Sequence, residues 1–288
     1  MDFSASKKKF LMASYLLTVV ATSALYFVTP GAIVVGIILV VISNFGFSAG
    51  ESFVSSFLPE LGPQEELGKI SGFAWGLGYF GGIASTGLVL ALLGSQTVEN
   101  FELQRFVGPI TGLFFLVAGI PTFLLLKERG VARKLSPGQS YWSVGFGRLK
   151  ETFADLKSFR DLMVFLISLF FSFAGLSIVI SFAFIYGDQV IGWQDSTKAL
   201  MFVITNLTAA VGAVIFGYIQ DKIGDKLTYN ITLIIWIIAV TLIYAAAEVT
   251  GWINASLGTE YKTEFVFLFI GSIAGLSLGA TQSAGRAM

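Results

Sequence analysis

The sequence predicts an all-α integral membrane protein, and three observations support this fold class: composition, apolar stretches of spanning length, and the placement of basic residues. Of the 288 residues, 55% are hydrophobic and only 12% are charged, and the mean hydropathy is +0.80. Soluble domains carry about 25% charged residues to cover their surface. Much of this protein's surface must therefore face lipid rather than water.

Eight stretches are long enough to cross a bilayer, which needs about 20 mainly apolar residues. A signal peptide is the alternative for the first stretch, because three lysines precede it. About 19 residues is long for such a segment, however, and a second span follows closely. The predicted spans are Phe10–Val28, Ala32–Leu58, Ile70–Leu93, Phe106–Leu126, Leu162–Tyr186, Thr197–Gln220, Tyr229–Ala247 and Phe265–Arg286.

The basic residues predict the orientation of these spans. With the N-terminus inside and strict alternation, 15 of the 18 Lys and Arg residues fall in inner segments. The other three, Arg105, Lys198 and Lys262, fall outside. Inner loops of membrane proteins carry such an excess, so we expect both termini of the chain in the cytoplasm. One missed helix would invert every later loop and mix the counts, so the asymmetry also supports eight spans.

The longest loop divides the spans into two groups of four. We expect a first partial bundle at residues 1–126, a cytosolic linker at 127–161 and a second partial bundle at 162–288. Apolar residues recur in the linker at helical spacing, which predicts an amphipathic helix. It would lie along the inner membrane interface or, equally, pack on inner loops of the protein. The apolar residues are Phe146, Leu149, Phe153, Leu156 and Phe159.

The chain contains no Cys and no His. This excludes disulfides, thiolate nucleophiles and imidazole acid–base chemistry, and it leaves poor ligands for zinc. A membrane-embedded enzyme would need polar catalysts clustered at one depth, and the spans show no such cluster. We expect no enzyme activity, cofactor or metal site. The net charge of zero gives no case for nucleic acid, so the expected partners of a monomer are the lipid bilayer and a small-molecule substrate.

The turn after the sixth predicted span carries a motif, Gly217-Tyr-Ile-Gln-Asp221-Lys222-Ile-Gly224-Asp225-Lys226. Gly217 would let two helices approach, and Asp221 would accept hydrogen bonds at the start of a neighbouring helix, where the dipole favours an anion. Gly224 would make a tight turn, while Lys222 and Lys226 stay on the inner side. The motif resembles the loop signature G-x-x-x-D-[RK]-x-G-[RK]-[RK] of the major facilitator superfamily.

Two details qualify this resemblance. Asp225 stands where the signature usually has a basic residue. A degenerate second copy opens the chain, where Asp2 would match Asp221 and is followed by Lys7, Lys8 and Lys9. The two copies are 219 residues apart, as 221 minus 2, which is about half of a twelve-helix transporter with internal repeats.

A narrower resemblance lies in the second, third and eighth spans. The runs Phe53-Val-Ser-Ser-Phe57-Leu-Pro-Glu60, Gly68-Lys-Ile-Ser-Gly-Phe-Ala-Trp75-Gly-Leu-Gly-Tyr79-Phe-Gly-Gly82 and Gly279-Ala-Thr281-Gln282-Ser-Ala-Gly-Arg286 are similar to motifs of the vacuole-effluxer subgroup. This subgroup contains the fungal autophagy-related vacuolar amino-acid effluxer. The resemblance implies a major-facilitator-type bundle of twelve helices, of which the chain supplies helices three to ten.

The resemblance also implies a function, which is secondary active transport of a small solute. We expect efflux of amino acids or similar polar metabolites by alternating access, in a bacterial inner membrane. The alternative is a non-transporting scaffold or a degenerate or truncated family member. Relatives often have Asn-Asp-Gly in the seventh helix, where this chain reads Phe173-Ala174-Gly175, so any proton coupling through that acid would differ here.

Polar residues inside the spans are the candidates for substrate binding and coupling. Glu51 is the only acid well inside an apolar stretch, and an intramembrane carboxylate is costly and often functional. It would contact a substrate amine or carry a proton, or reach the inner interface and pair with Lys69. For the uncharged candidates, bonding between helices or anchoring at the interface is the alternative. These candidates are Asn44, Trp75, Tyr79, Asn206, Thr281 and Gln282.

Overall fold

A computed structural model of the chain describes residues 6–94, 100–129, 140–154 and 160–287. The regular structure of these residues is helical, and no strand occurs among them. Short single turns, including a π-turn at Gly187–Ile191, extend or join the α-helices. The α-helices are α1 Lys7–Ala24, α2 Ile33–Ser55, α3 Leu58–Leu61, α4 Leu67–Leu93, α5 Phe101–Gln104, α6 Val107–Leu125, α7 Tyr141–Ala154, α8 Arg160–Tyr186, α9 Asp195–Ile223, α10 Asp225–Tyr244, α11 Ala246–Leu257 and α12 Thr263–Ala287.

Eight helices in the described part of the chain are long and apolar enough to cross a membrane, namely α1, α2, α4, α6, α8, α9, α10 and α12. They confirm the eight predicted spans in order. Helix α10 begins at Asp225 rather than at the predicted Tyr229, because Gly224 with φ +85° starts it directly after α9. Many large apolar side chains on these helices are exposed, as lipid contact requires. The protein is therefore an integral, multi-pass membrane protein.

Helix α11 was not expected from the sequence. It follows α10 after Ala245 and contains Thr250, Gly251 and Asn254, which favour helices weakly. Its first residue, Ala246, is fully buried in an apolar cluster with Trp193, Met201 and Phe267. Tertiary burial rather than local propensity therefore stabilises this helix.

Contacts divide the chain into two compact units. Unit 1 comprises Met1–Pro63 and Gly81–Leu135, and unit 2 comprises Gln64–Phe80 and Ser136–Met288. Helix α4 therefore gives its first half to unit 2 and its second half to unit 1. The division into residues 1–126 and 162–288 follows the order of the spans, whereas these units follow packing.

In unit 1, α1 packs against both α2 and α6 through small residues. A Cβ placed on Gly46 of α2 would lie 2.7 Å from Oγ1 of Thr18 on α1. One placed on Gly108 of α6 would overlap with the carbonyl oxygen of Thr22 on α1. Small residues at such positions let helix backbones approach closely in lipid, so both neighbours of α1 lie against its polar face.

In unit 2, α9 and α12 pack backbone against backbone. A Cβ on Gly212 would overlap with the carbonyl of Leu276, and one on Gly279 would overlap with the carbonyl of Ala209. The first half of α4 approaches α9 in the same way, with Gly72 against the carbonyl of Ala213. Glycine is therefore required at these crossings by the closeness of two main chains.

Helix α7 covers Tyr141–Ala154, within the segment where the sequence predicts an amphipathic helix. Phe146 on this helix is 65% exposed. Leu156 and Phe159, two members of the predicted apolar stripe, lie outside the described residues. Contact of this helix with the membrane interface stays a prediction.

Candidate functional site

Asp221, near the end of α9, caps the start of α4. Its Oδ1 accepts a hydrogen bond from the backbone N–H of Gly68 at 2.9 Å, and its Oδ2 accepts one from Lys69 at 3.0 Å. The first N–H groups of a helix have no partner within the helix and carry a partial positive charge that favours an anion. The contact is of the kind that the loop motif predicts, and the structure identifies α4 as the helix.

The glycines of the same motif bring the helices to this distance and turn the chain. A Cβ on Gly217, one turn before Asp221, would lie 2.6 Å from the carbonyl oxygen of Gly68. Gly224 has φ +85° and ψ 162°, a conformation that glycine adopts without strain. It ends α9 and starts α10 with a single intervening residue. Gly217 and Gly224 therefore serve approach and turning respectively.

The charged residues after Asp221 differ in their surroundings. Oδ1 of Asp225 accepts a hydrogen bond from Nε2 of Gln220 at 2.8 Å, in the first turn of α10 where an acid is favourable. This explains the departure of Asp225 from the usual basic residue. Lys222 and Lys226 are exposed. Asp2, the matching acid of the degenerate copy, lies outside the described residues.

Four side chains from α4 and α12 form a second group, which we call the polar cluster: Trp75, Tyr79, Gln282 and Arg286. The hydroxyl of Tyr79 donates a hydrogen bond to Oε1 of Gln282. The guanidinium carbon of Arg286 lies 4.9 Å from the centroid of the Trp75 ring, and the rings of Trp75 and Tyr79 are 6.1 Å apart. The structure thus brings three of the predicted substrate residues together and adds a cation.

One hydrogen bond fixes the two helices on which the polar cluster lies. The fully buried Ser71 of α4 donates from Oγ to the carbonyl oxygen of Ser283 on α12 at 2.9 Å. Trp75 is one turn further along α4, and its Nε1 is buried without a hydrogen-bond partner among the described residues. The cluster therefore offers an N–H donor and a guanidinium beside an aromatic face.

The chain matches the protein family described as vacuole effluxer Atg22 like, over residues 1–69 and 63–288. It belongs to this family. The match extends over both units, and it agrees with the resemblance that the three sequence motifs carry.

Relatives of this Atg22-like chain come from bacteria and fungi. It is 23% identical over 259 residues to the uncharacterized MFS-type transporter YxiO of Bacillus subtilis, covering 89% of this chain and 60% of that protein. It is 24% identical over 287 residues to an uncharacterized protein of Aquifex aeolicus, covering 99% and 64%. It is 23% identical over 348 residues to autophagy-related protein 22 of Coccidioides immitis, covering 98% and 57%. The chain thus spans about three fifths of the length of these relatives, and no solved structure matches it.

Two further candidates of unit 2 bond within their own helices. Thr281 is fully buried and donates from Oγ1 to the carbonyl oxygen of Ser277 at 2.8 Å. Asn206 is half-buried and donates from Nδ2 to the carbonyl oxygen of Phe202 at 2.8 Å. Such bonds are the usual way for a polar side chain to satisfy itself inside a helix. A role in substrate binding stays a prediction for both.

The remaining candidates, Asn44 and Glu51, belong to α2 in unit 1. Asn44 is exposed and donates from Nδ2 to the carbonyl oxygen of Val40 at 2.9 Å. Glu51 is half-buried and lies four residues before the end of α2 at Ser55. The proposed partner Lys69 belongs to unit 2, where its Nζ lies 2.9 Å from Oε1 of Glu66.

Lysine side chains bind the C-terminal ends of α2 and α6 in unit 1. Nζ of Lys7 donates to the carbonyl oxygen of Ser56 at 3.0 Å and lies 2.7 Å from Oε1 of Glu60. Nζ of Lys8 donates to the carbonyl oxygen of Leu126 at 2.9 Å. The hydrogen bond from Lys7 holds the pKa of Glu60 below its ordinary value. These lysines therefore act as caps on helix C-termini, where cations are favourable.

Arg286 closes the motif of the eighth span, but it was not among the site residues predicted from the sequence. The signal was available, because Arg286 is the only basic residue of α12. What the sequence lacks is the direction of its side chain, since an arginine at a helix end can equally extend into water. Among the described residues, no group of three or more His, Cys, Asp or Glu is placed to hold a metal ion.

Proposed function

We propose that the complete protein is a secondary transporter that exports a small polar solute, such as an amino acid or a similar metabolite, by alternating access. The observation that supports this most is the polar cluster. A cation and polar side chains among apolar spans are costly, and such residues commonly mark the path of an ion or solute. The family description as an effluxer favours export as the direction.

The cap of Asp221 on α4 supports the conformational part of the proposal. Alternating access needs helices that separate at one end and close at the other while remaining rigid. Two charge-assisted hydrogen bonds between the end of α9 and the start of α4 are strong enough to hold one state. These hydrogen bonds are non-covalent, so they can break and form again as the conformational state changes. Substrate binding or coupling by Trp75, Tyr79, Gln282 and Glu51 is part of the same proposal.

A solute screen in lipid vesicles tests the transport function. The complete protein that the gene encodes is reconstituted, and movement of radiolabelled amino acids and related polar metabolites is measured with and without a proton or sodium gradient. We expect saturable movement of at least one solute class above that of empty vesicles. A correctly folded protein that moves none of these solutes would favour the alternative, a non-transporting scaffold or a degenerate family member.

We further propose that the protein resides in a bacterial inner membrane with both termini of the chain in the cytoplasm. Because the chain has no Cys, single introduced cysteines report the side of the membrane cleanly. Ser256 of α11 and Ser140 before α7 are both exposed. A membrane-impermeant maleimide added outside should label Ser256→Cys, and Ser140→Cys should label only after the membrane is opened. The reverse pattern would invert the orientation.

A further inference from the structure

We propose that Glu264 is a clamp that holds the starts of α9 and α12 together, and that its release opens this end of unit 2. The predicted orientation puts this end outside, opposite to the end at which Asp221 caps α4. The inference goes beyond the proposed function, because it concerns a closure within unit 2 that exists whether or not a solute is transported. The evidence is the bonding of the Glu264 carboxylate, the divergence of α9 and α12, and the side chains that fill the gap between them.

The Glu264 carboxylate joins the first turn of α12 to the start of α9. Glu264 is 7% exposed. Its Oε2 accepts a hydrogen bond from the backbone N–H of Gln194 at 3.1 Å and another from Oγ1 of Thr197 at 2.9 Å, while its Oε1 lies 3.8 Å from Nζ of Lys262. Gln194 directly precedes α9, and its own side chain does not cap the helix. An anion is favourable at a helix start, and hydrogen bonds to an ionised acceptor are about twice as strong as neutral ones.

Helices α9 and α12 are closest in their middle and diverge toward their starts. A Cβ placed on Gly279 would overlap with a backbone carbonyl of α9. One turn nearer the start, a Cβ on Gly275 would lie 2.7 Å from the carbonyl oxygen of Thr205. A further turn on, a Cβ on Gly271 would meet only side-chain atoms of Met201 within 4 Å, among the described residues. We call residues 195–201 of α9 and 263–271 of α12 the start segments, and at this level side chains rather than main chains lie between the helices.

Apolar side chains fill the gap between the start segments. Met201 of α9 and Phe267 of α12 belong to one buried cluster, together with Trp193. The rings of Trp193 and Phe267 are 5.4 Å apart in an edge-to-face arrangement, and Nε1 of Trp193 donates to Oδ1 of Asp188 at 2.9 Å. Apolar contacts are non-directional, whereas the hydrogen bonds of Glu264 require one geometry. We therefore assign the hold on the start segments to Glu264 and the seal against water to this cluster.

The rest of unit 2 does not depend on the clamp for its packing. Main-chain contacts at Gly212 and Gly279 join the middle of α9 and α12, and Asp221 caps α4 at the far end of α9. A methionine side chain is flexible, so the contact of Met201 with Gly271 yields more readily than a contact between main chains. Release of Glu264 should therefore separate the start segments first, and the cluster between them should be the first part of the core to meet water.

Cysteine labelling of the complete protein, purified in lipid nanodiscs, tests the clamp. The reporter is Met201→Cys, because Met201 is 5% exposed and lies between the start segments. The second reporter is Ser277→Cys, which keeps the shape of a fully buried side chain in the middle of α12. Any other cysteine of the complete protein is first replaced by serine. The rate of reaction with N-ethylmaleimide and the thermal stability are measured for each reporter in each variant.

Two variants release the clamp to different extents. Glu264→Gln keeps the shape of the side chain and removes its charge, and we expect it to raise the labelling rate of Met201→Cys by about tenfold, as for loss of a hydrogen bond to a charged group. Thr197→Val keeps the shape and removes one donor, so its effect should be smaller. The combined variant should label more slowly than the product of the two effects, because the residues share one contact. Glu260→Gln, at an exposed position four residues before Glu264, is the control and should label as the parent does.

The second reporter separates opening of one end from general loosening. Faster labelling of Met201→Cys with Ser277→Cys still unreactive would support the clamp. An unchanged rate at Met201→Cys in the folded variants would overturn it, and so would a rise at both reporters. If Glu264→Gln does not fold, Thr197→Val decides between the same outcomes. Labelling does not require solute movement, so failure of the clamp would leave the proposed transport standing, and failure of transport would leave the clamp standing.

Discussion

The two units hold the ends of their helices with charges of opposite sign. In unit 1, the ammonium groups of Lys7 and Lys8 bind carbonyl oxygens at the ends of α2 and α6. In unit 2, the carboxylate of Asp221 binds N–H groups at the start of α4. The carbonyl end of a helix favours a cation and the amide end favours an anion. The sign of each charge therefore matches the end of the helix that it contacts. These charged residues do more than keep a loop soluble.

Two glycines, one from each unit, also differ in what they contact. In unit 1, Gly50 of α2 faces the hydroxyl of Ser14, which a Cβ would approach to 3.2 Å. In unit 2, Gly279 of α12 faces the backbone carbonyl of Ala209. A hydroxyl can rotate away from an added methyl group, but a main chain inside a helix cannot. The difference indicates that Gly279 tolerates an added methyl group less well than Gly50 does.

The largest expected effect tests this difference in packing. Gly279→Ala in unit 2 should lower the free energy of unfolding by about 3 kcal/mol, the upper end for overpacking. Gly50→Ala in unit 1 should cost less than about 1 kcal/mol, because a side chain can move and alanine favours a helix. Thermal unfolding of the purified protein in detergent measures both. Gly78→Ala is the control, since nothing lies within 4 Å of an added Cβ there; equal losses at Gly279 and Gly50 would remove the distinction.

The next effect concerns the anionic cap of unit 2. Asp221→Asn keeps the shape of the side chain and removes its charge, so it should cost about 2 kcal/mol, the range for hydrogen bonds to charged groups. We expect lower thermal stability and slower solute transport, with expression largely unchanged. Lys222→Gln, at an exposed neighbouring position, is the control for loss of a loop charge. Wild-type stability and transport in Asp221→Asn would show that Asp221 is an ordinary loop charge and that its contact with α4 is dispensable.

A smaller effect concerns Glu51, the carboxylate that lies within a span of unit 1. Glu51→Gln keeps the shape of the side chain and removes its titration. If Glu51 carries a proton or binds a substrate amine, transport should fall by about tenfold or more and lose its dependence on pH. Ser52→Ala is the control, because the Ser52 hydroxyl is exposed and bonds to its own helix at Ser48. An unchanged rate and pH profile would assign Glu51 to the surface of the span.

The smallest effect concerns the cationic caps of unit 1. Lys7→Met removes the ammonium partner of Glu60 and leaves the hydrogen bond from the backbone N–H of Arg129, at a cost of about 1 kcal/mol or less for a partly exposed pair. The pKa of Glu60 is lowered in the folded state. Its contribution to the free energy of unfolding is therefore present above the pKa that Glu60 has in the unfolded chain. That contribution is lost as the pH falls through the pKa of Glu60 in the folded protein.

This sign gives a specific result for the pH dependence. The wild type should be more stable than Lys7→Met at pH 7, and the two should converge as the solution is acidified below the ordinary pKa of a glutamate. Lys9→Met, at an exposed position two residues along, should follow the wild type. Thermal unfolding across this pH range is the measurement. A difference that persists in acid would assign the effect to the other contacts of Lys7, with the Ser56 carbonyl and the Phe57 ring.

Much of the fold follows from local properties of the chain. The eight spans were predictable because bilayer thickness sets a required apolar length and each span meets it independently of the others. The capping chemistry of Asp221 was predictable because its type and the glycines around it suit a helix start. Helix α11 was not predictable, because the burial of Ala246 among residues from other elements stabilises it.

The sequence by itself determined that eight segments of this chain have spanning length, that their motifs are those of the Atg22-like family, and that a cap motif follows α9. Only the tertiary structure decided that Asp221 binds α4, a helix start 153 residues earlier in the chain, and that Arg286 lies over Trp75. Span formation depends on the apolar length of one segment, which can be counted along the chain. Contacts between helices depend on which faces meet and at what depth, and these are set by packing among residues far apart in sequence.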